Sequence, residues 1–408
     1  MTKKALSHIR VLDLSRVLAG PWCTQNLADL GAEVIKIERP QVGDDTRSWG
    51  PPWVKAADGS DSRDSTYYAA ANRGKKSVTV DIASPEGQAL IRELAMTSDV
   101  VIENFKAGNL MRYGLDYASL AAINPGLIYC SITGYGQDGP AAQKPGYDAV
   151  FQAIGGLMSI TGEEDSRPGG GPQKVGVAIA DVMTGMYASI AILAALNHRT
   201  VSGKGQYIDM ALLDCIVALG GNQVTGYFAS GRIPRRYGNG HASLVPYQVF
   251  DTLDGRVVVA VGNDTQWQRY CAAIDRQDLA ADARWRKVEG RIVGRDELIP
   301  QLAATMATRT SAEWIGLLEA NDVPCGTINN YEQVFDDPQV RHRGLRVDLG
   351  RSDGGAVATI ASPLRLQRTP VTYEQSPPLL GEHTDDVLKE LLGKNGDQIA
   401  MLRQRGVV

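Results

Sequence analysis

Cysteine is scarce in this 408-residue sequence, and the cysteines present do not pair. Cys23, Cys130, Cys215, Cys271 and Cys325 are odd in number and scattered, with no C-x-x-C. A disulfide framework is therefore not expected, and most of the five sit in apolar runs as small core residues of a reducing compartment. Histidine is equally sparse. His8, His198, His241, His342 and His383 show no ligand spacing, so no metal is expected. There is no basic surplus: the formal net charge is −4, which argues against a nucleic-acid partner and leaves only local basic clusters. The opening MTKKALSHIRVLDLS lacks the apolar core of a secretory leader. The longest apolar run follows Asp181. It is broken by Thr184, Gly185 and Ser189 and is expected to fall short of the roughly 18–20 residues that span a bilayer. Repeats and low-complexity tracts are absent. The expectation is a soluble, cytoplasmic protein with neither a membrane nor a nucleic-acid partner.

What is present is the composition of a globular chain, 43% hydrophobic and 22% charged, long enough for two domains. IRVLDL, a helix WCTQNLADLG and AEVIKIE form a first β-α-β unit over residues 9–38. Its loop lacks the G-x-G-x-x-G of dinucleotide binders. A polar loop to about Asp64 is too long to be idle, and its Arg47 and Trp49 favour a functional role. KKSVTVDI, DVVIEN and LIYCSITGYG read as further strands. The helix after the first of these starts at Ser84-Pro85. Strand and helix alternate, so residues 1–224 are expected to form a Rossmann-like, doubly wound parallel α/β domain, completed by 331–408. Ligands of such sheets lie beyond the carboxyl ends of the strands. Asp209 to Phe228 reads as a long apolar helix. Residues 225–330 form a smaller α+β domain, with a hairpin at Asp254-Gly255 and a Thr310-x-x-Glu313 capping box.

The stretch Lys174 to Leu196 stands apart. Val175 to Ala180 reads as a buried strand and the residues after Asp181 as a helix apolar on all faces, which places Asp181 at a helix N-terminus. These residues alone leave open a helix cap or a chemical role. GRIPRRYGNGHASLVP (231–246) is a loop dense in Gly, Pro and Arg. It reads either as an ordinary surface loop or as backbone built to approach a reacting group closely.

The motifs together resemble class III CoA-transferases, the formyl-CoA and carnitine CoA-transferase family. They include DLSRVLAGPWCTQNLADLGAEVIKIERP, GDDTRSWGPP, NRGKKSVTVD, VIENF, YCSITGYGQDGP, PGYDAV, VGVAIAD, the glycine loop before VPYQVF, and PPLLGEHT, spread over roughly residues 8–408. Within the family the likeness is closest to succinyl-CoA:dicarboxylate (glutarate) CoA-transferases. The resemblance implies an interlocked homodimer of two-domain chains. It also implies no permanently bound cofactor, an acyl-CoA thioester as substrate, and a small carboxylic acid as acceptor. The family nucleophile falls on Asp181, which would pass through a mixed anhydride and an aspartyl-CoA thioester. Gly238, Asn239 and Gly240 match the glycine-rich lid. CoA binding falls on Val17, Arg39, Asn104, Phe105 and Arg112, and charge alone adds Lys75 and Lys76. A cation for the acceptor's distal carboxylate is expected from Arg47, Arg235 or Arg236, with His241 and Tyr147 nearby. An α-methylacyl-CoA racemase on the same fold is disfavoured because Tyr147, a poor base, replaces the family's histidine. A non-catalytic CoA-binding protein is disfavoured by the intact Asp181 and glycine loop. SRPGGGPQK (166–174) looks longer than the family's usual approach to the nucleophile.

Overall fold

A computed structural model describes residues 4–408. The chain divides into two compact units. The first comprises residues through Leu157, Val175–Thr225 and Gln339–Val408, and the second Met158–Lys174 and Gly226–Pro338. The first unit opens with β1 (Arg10–Asp13), α1 (Ala19–Asp29), β2 (Glu33–Glu38), β3 (Trp53–Lys55), β4 (Asp61–Ser65), α2 (Thr66–Ala70) and β5 (Lys75–Thr79). It continues with α3 (Pro85–Met96), β6 (Val100–Glu103), α4 (Tyr117–Ile123), β7 (Ile128–Thr133), α5 (Asp148–Ile154), α6 (Leu157–Ile160), α7 (Ile179–Ser202), β8 (Tyr207–Ala211) and α8 (Leu212–Leu219).

Six of these strands form one sheet in the order β5-β2-β1-β6-β7-β8, every neighbour parallel. Helices cover both faces, so the inner strands are apolar without alternation: every residue of β6 and β7 is buried. The chain moves outward from β1 to β2 and β5, then returns to β6 on β1's other side. The carboxyl ends of β1 and β6 therefore form the topological switch point, where open α/β sheets leave a crevice for ligands. Helix α3 starts as its sequence directs, Ser84 Oγ accepting the Gly87 N–H at 3.0 Å ahead of Pro85.

Helix α7 buries a stripe spaced four residues apart, Ala180, Thr184, Ala188 and Ile192, against this sheet. It crosses α1 closely, because a Cβ on Gly185 would lie 2.6 Å from the Ala19 carbonyl oxygen. The tail returns to the same unit through the hairpin β12 (Arg346–Gly350) and β13 (Ala356–Ile360), then α17 (Thr384–Leu392) and α18 (Gly396–Gln404). Its Val387, Leu388, Ile399 and Val407 complete the core on the face opposite α7. The second unit holds the antiparallel strands β9 (Tyr247–Asp251), β10 (Arg256–Ala260) and β11 (Cys325–Thr327). They pack on helices that include α13 (Arg295–Met306) and α14 (Ser311–Ala320), the last with the Thr310–Glu313 capping box.

The structure departs from the sequence reading in several places. Val175 to Ala180 is not a strand: residues 175–178 take no strand structure and Ile179 and Ala180 open α7, the Val175 N–H goes to the Gln152 side chain, and β8 fills the place beside β7. Consequently Asp209 to Phe228 is not one helix. It begins inside β8 and breaks at Gly220-Gly221, where Gly221 adopts φ +47°. Helix α7 runs 24 residues, longer than expected. Its length would reach across a bilayer, but its stripe is packed against α1 and the sheet. The loop after β2 folds into a 3₁₀ turn (Asp45–Ser48) and the ribbon β3-β4. Residues 158–174 belong with the second unit and not with the large domain, and the tail rejoins the first unit at Gln339 and not at 331.

Candidate active site

Asp181 is the third residue of α7, and it does not cap the helix. Asp148, the first residue of α5, does so from outside. Its Oδ1 accepts the Ala180 N–H at 2.7 Å and the Asp181 N–H at 3.3 Å. Gln152 completes the cap, donating to Asp148 Oδ2 at 2.6 Å and accepting the Val175 N–H at 2.8 Å. With the helix end satisfied, the Asp181 carboxylate is left free. Among the described residues it accepts no hydrogen bond, and it sits half-buried. Burial and the negative charge of Asp148 push it up to about 7. Desolvation and a like charge thus outweigh the helix dipole, which by itself would favour the ionised form. Tyr67 lies within electrostatic reach. Burial and the charges of Asp181 and Asp148 push its phenol up to about 12, and its ring meets Trp49 edge-on at 5.2 Å.

The switch point gathers Arg16, Val17, Asn104, Phe105 and, from the end of β2, Arg39. Asn104 accepts the Arg16 N–H at 2.8 Å and donates to the Arg16 carbonyl at 2.7 Å, tying the two strand ends together. Val17 holds φ +70°, rare for a β-branched residue, with its N–H on Asp44. Glu103 sets the turn after β6 by accepting the Phe105 N–H at 2.7 Å. Arg16 and Arg39 both pair with Asp45 at 2.7 Å and rim an apolar floor of Leu14, Ile37, Val80 and Ile82. Arg112 is exposed and lies over the Tyr113 ring.

Three expected ligands are otherwise engaged. Lys75 is wholly buried, its ammonium donating to the Pro21 carbonyl, Asn72 and Asp13, and burial pushes it down to about 8. Lys76 pairs with Glu33 at 2.7 Å, at the amino ends of β5 and β2, away from the switch point. Arg47 is buried between Glu38 and Asp64, with bonds to the Tyr68 hydroxyl and the Pro378 carbonyl.

In the second unit, Gly238 adopts φ +56° and donates its N–H to the Gly162 carbonyl at 3.0 Å, while the Gly240 N–H returns to Tyr237. Of the three loop amides, only that of Asn239 has no acceptor among the described residues. Tyr237 lies between the guanidinium groups of Arg235 and Arg295, at 4.8 and 4.4 Å. Arg236 is consumed by two backbone carbonyls and Asp165, so it is not a free cation. His241 accepts the Ser243 N–H on Nδ1 and leans on the Tyr247 ring. A cavity of about 500 Å³ is lined by Tyr237, Asn239, Gly240, Gln248, Glu163 and Arg295. Tyr147, in the first unit, is 70% exposed.

The model of CoA-transferase family III matches residues 6–384. The chain belongs to that family. The succinate–glutarate CoA-transferase of Agrobacterium fabrum is 50% identical over 95% of this chain and 96% of its own length. The human succinyl-CoA:glutarate CoA-transferase is 43% identical over 99% of this chain and 90% of its own. The crystal structure of a CAIB/BAIF family protein from Brucella suis, 43% identical, superposes with a TM-score of 0.84 over 96% of this chain and all of that one.

In this family III CoA-transferase the first unit brings Asp181 together with Asp148, Tyr67 and Trp49, and separately gathers Val17, Arg39, Asn104 and Phe105. Asp148, Tyr67 and Arg295 were not anticipated as site residues; the first lies 33 residues from the amide it caps, and no local pattern connects them. The carboxyl band of Asp181, read by infrared difference spectra against Asp181→Asn, should titrate near pH 7. Asp148→Asn should move it downward, since the like charge is gone. A raised acid pKa stabilises the fold most below the ordinary carboxylate range, and that contribution should fade as the pH climbs through about 7. A band unmoved by Asp148→Asn would assign the shift to burial alone.

Proposed function

We propose that this enzyme moves CoA from succinyl-CoA to glutarate or a similar dicarboxylic acid, with Asp181 as nucleophile. The reading is carried by a half-buried carboxylate, free of hydrogen-bond donors among the described residues, on the helix where the family motif VGVAIAD ends. The Asp181 carboxylate attacks the thioester carbonyl, the C–S bond breaks and CoA leaves as thiolate. The thiolate then attacks the Asp181 carbonyl of the mixed anhydride, expelling succinate and leaving an aspartyl-CoA thioester. The acceptor carboxylate attacks this thioester to give a second anhydride and thiolate. Attack of that thiolate on the acceptor's carbonyl yields the new acyl-CoA and restores the Asp181 carboxylate. Splitting the exchange this way replaces one difficult step by easier ones, provided water is excluded.

CoA phosphates suit the Arg16–Arg39 rim with Arg112, and the adenine suits the apolar floor beside Phe105. Asn104 and Val17 shape that crevice. The glycine loop 238–240 is assigned the lid role that the family motif implies, with the Asn239 N–H available to developing negative charge. The acceptor's distal carboxylate is assigned to Arg295, with Arg235 beside it. Arg295 is half-buried, without a carboxylate partner among the described residues. Its Nη2 serves the His241 and Ala242 carbonyls, and the residue lines the cavity. The enzyme works as a homodimer, supported by exposed apolar side chains such as Ile190, Val217, Phe228 and Ile233.

CoA transfer from succinyl-CoA, measured with a panel of mono- and dicarboxylic acids, tests the reading directly. Asp181→Asn should lower turnover at least about a thousandfold with the fold intact. Wild type given succinyl-CoA alone should carry a hydroxylamine-sensitive adduct on the Asp181 peptide. Normal turnover of the Asn variant would return Asp181 to a structural role. Arg295→Ala should raise the KM for glutarate about tenfold or more while leaving that for succinyl-CoA unchanged. Equal use of monocarboxylic acids by wild type would dismiss a distal-carboxylate site. Sedimentation should show a dimer at nanomolar concentration, and a folded monomer there would exclude it.

A further inference from the structure

The segment 158–174 carries no step of the chemistry above, although its Glu163 lines the cavity, and its backbone is highly organised. Gln173 N–H reaches the Thr161 carbonyl at 2.9 Å, Gly171 N–H the Glu163 carbonyl at 3.2 Å and Gly170 N–H the Arg167 carbonyl at 2.9 Å, so the segment closes on itself. Two glycines permit the closure. A Cβ on Gly162, at φ +113°, would lie 2.3 Å from the Gly171 carbonyl oxygen, and one on Gly170 would lie 2.0 Å from that of Glu164.

This closed segment is bonded to the glycine loop at two points. Arg236 donates from Nε to the Glu163 carbonyl at 3.0 Å and from Nη1 to the Ser159 carbonyl at 3.2 Å, while Nη2 pairs with Asp165. Two residues on, the Gly238 N–H meets the Gly162 carbonyl at 3.0 Å. A Cβ on Gly238 would come within 2.4 and 2.5 Å of the two Glu163 carboxylate oxygens. On the far side of the loop Arg295 holds the His241 and Ala242 carbonyls. The loop is thus fixed at both flanks, with Asn239, whose N–H has no acceptor among the described residues, at its tip.

We infer that residues 158–174 are a built-in support for the glycine loop, and that Arg236 is the positioning residue joining the two. The inference rests on the lid role proposed for this loop. A supported loop enters each turnover with most of its ordering already done, leaving only the tip to move. Since the adduct is a thioester, a loop that loses its support admits water, and acyl-enzyme is hydrolysed instead of passing CoA to the acid. Arginine suits the position because a planar fork serves two carbonyls and a carboxylate at once, which an ammonium cannot.

Arg236→Ala and Arg236→Lys in the full-length enzyme separate the possibilities. In the Ala variant, amide hydrogen exchange at 237–240 should accelerate about tenfold. The ratio of CoA transferred to CoA released by hydrolysis should fall by a similar factor, with the KM for succinyl-CoA unchanged. The Lys variant should fall between the two. Unchanged exchange at 237–240 overturns the positioning role. Faster exchange with an unchanged transfer-to-hydrolysis ratio keeps the support but overturns the lid reading on which it rests. Should Arg236→Ala not fold, Asp165→Ala provides the second route, because it removes the carboxylate that holds Nη2 of Arg236 and leaves the backbone of both segments unchanged. Amide exchange at 237–240 should then accelerate severalfold. Unchanged exchange in that variant overturns the positioning role as well.

Discussion

The contact between Asp148 and the start of α7 is the interaction on which the site depends. A helix end leaves several N–H groups without partners, and an aspartate in the first turn ordinarily turns back to satisfy them. Here Asp148, held by Gln152, accepts the Ala180 and Asp181 amides from outside. Asp181 is thereby released from a structural duty that its position would otherwise impose. The same carboxylate that frees it also repels its charge, and the half-buried setting adds to that repulsion. One residue thus leaves Asp181, the proposed nucleophile, both available and uncomfortable as an anion.

The switch-point crevice depends on a second constraint, the buried charges beneath the loop after β2. Lys36 and Asp44, both fully buried, pair at 2.9 Å, and Arg47 bridges Glu38 and Asp64. Buried ions are costly unless each finds partners, and breaking one pair strands the other. Every member here has several partners, so the network fixes one conformation of the loop. That conformation sends Asp44 to the Val17 N–H and Asp45 to Arg16 and Arg39. Arg47 therefore matters to binding indirectly, through the residues it places.

How much of this the sequence discloses depends on whether the deciding contact is local. The alternation of strand and helix is legible because parallel strands covered on both faces must be apolar throughout, and Ser84-Pro85 and Thr310-x-x-Glu313 mark helix starts by themselves. The run Val175 to Ala180 misleads because β-branched residues suit a strand, while the place in the sheet belongs to Tyr207–Ala211, which runs without a turn signal into α8. Asp181 stands out through its motif. Its raised proton affinity does not, since that comes from Asp148 and from burial. Lys75 and Arg47 look like binding cations because charge alone cannot distinguish a solvated head group from one saturated in the interior. Arg295 is the reverse case, an unremarkable helix residue that reaches back 54 positions to the His241 carbonyl.

The environment of Asp181 also bears on which covalent state the proposed cycle favours. Forming the aspartyl-CoA thioester turns a half-buried anion, repelled by Asp148, into a neutral group. The discomfort that raises the carboxyl toward 7 is relieved in that step, so the environment favours the adduct over free enzyme plus succinyl-CoA. The first anhydride is biased in the same direction. Thiolate attack at the Asp181 carbonyl expels succinate, a weaker base than Asp181 in its pocket and hence the better leaving group. The second half must run against this bias, because attack on the acceptor's carbonyl regenerates the Asp181 anion. What offsets it is that the acceptor's own carboxylate loses its charge as that of Asp181 returns, so the site holds a constant net charge across the exchange. A monoanion in solution gives up its hydration to enter such a site, whereas a dicarboxylate keeps one charge paired with a fixed cation while the other reacts. In the proposed cycle, the raised proton affinity of Asp181 and a guanidinium paired with the far end of the acceptor thus serve the same step.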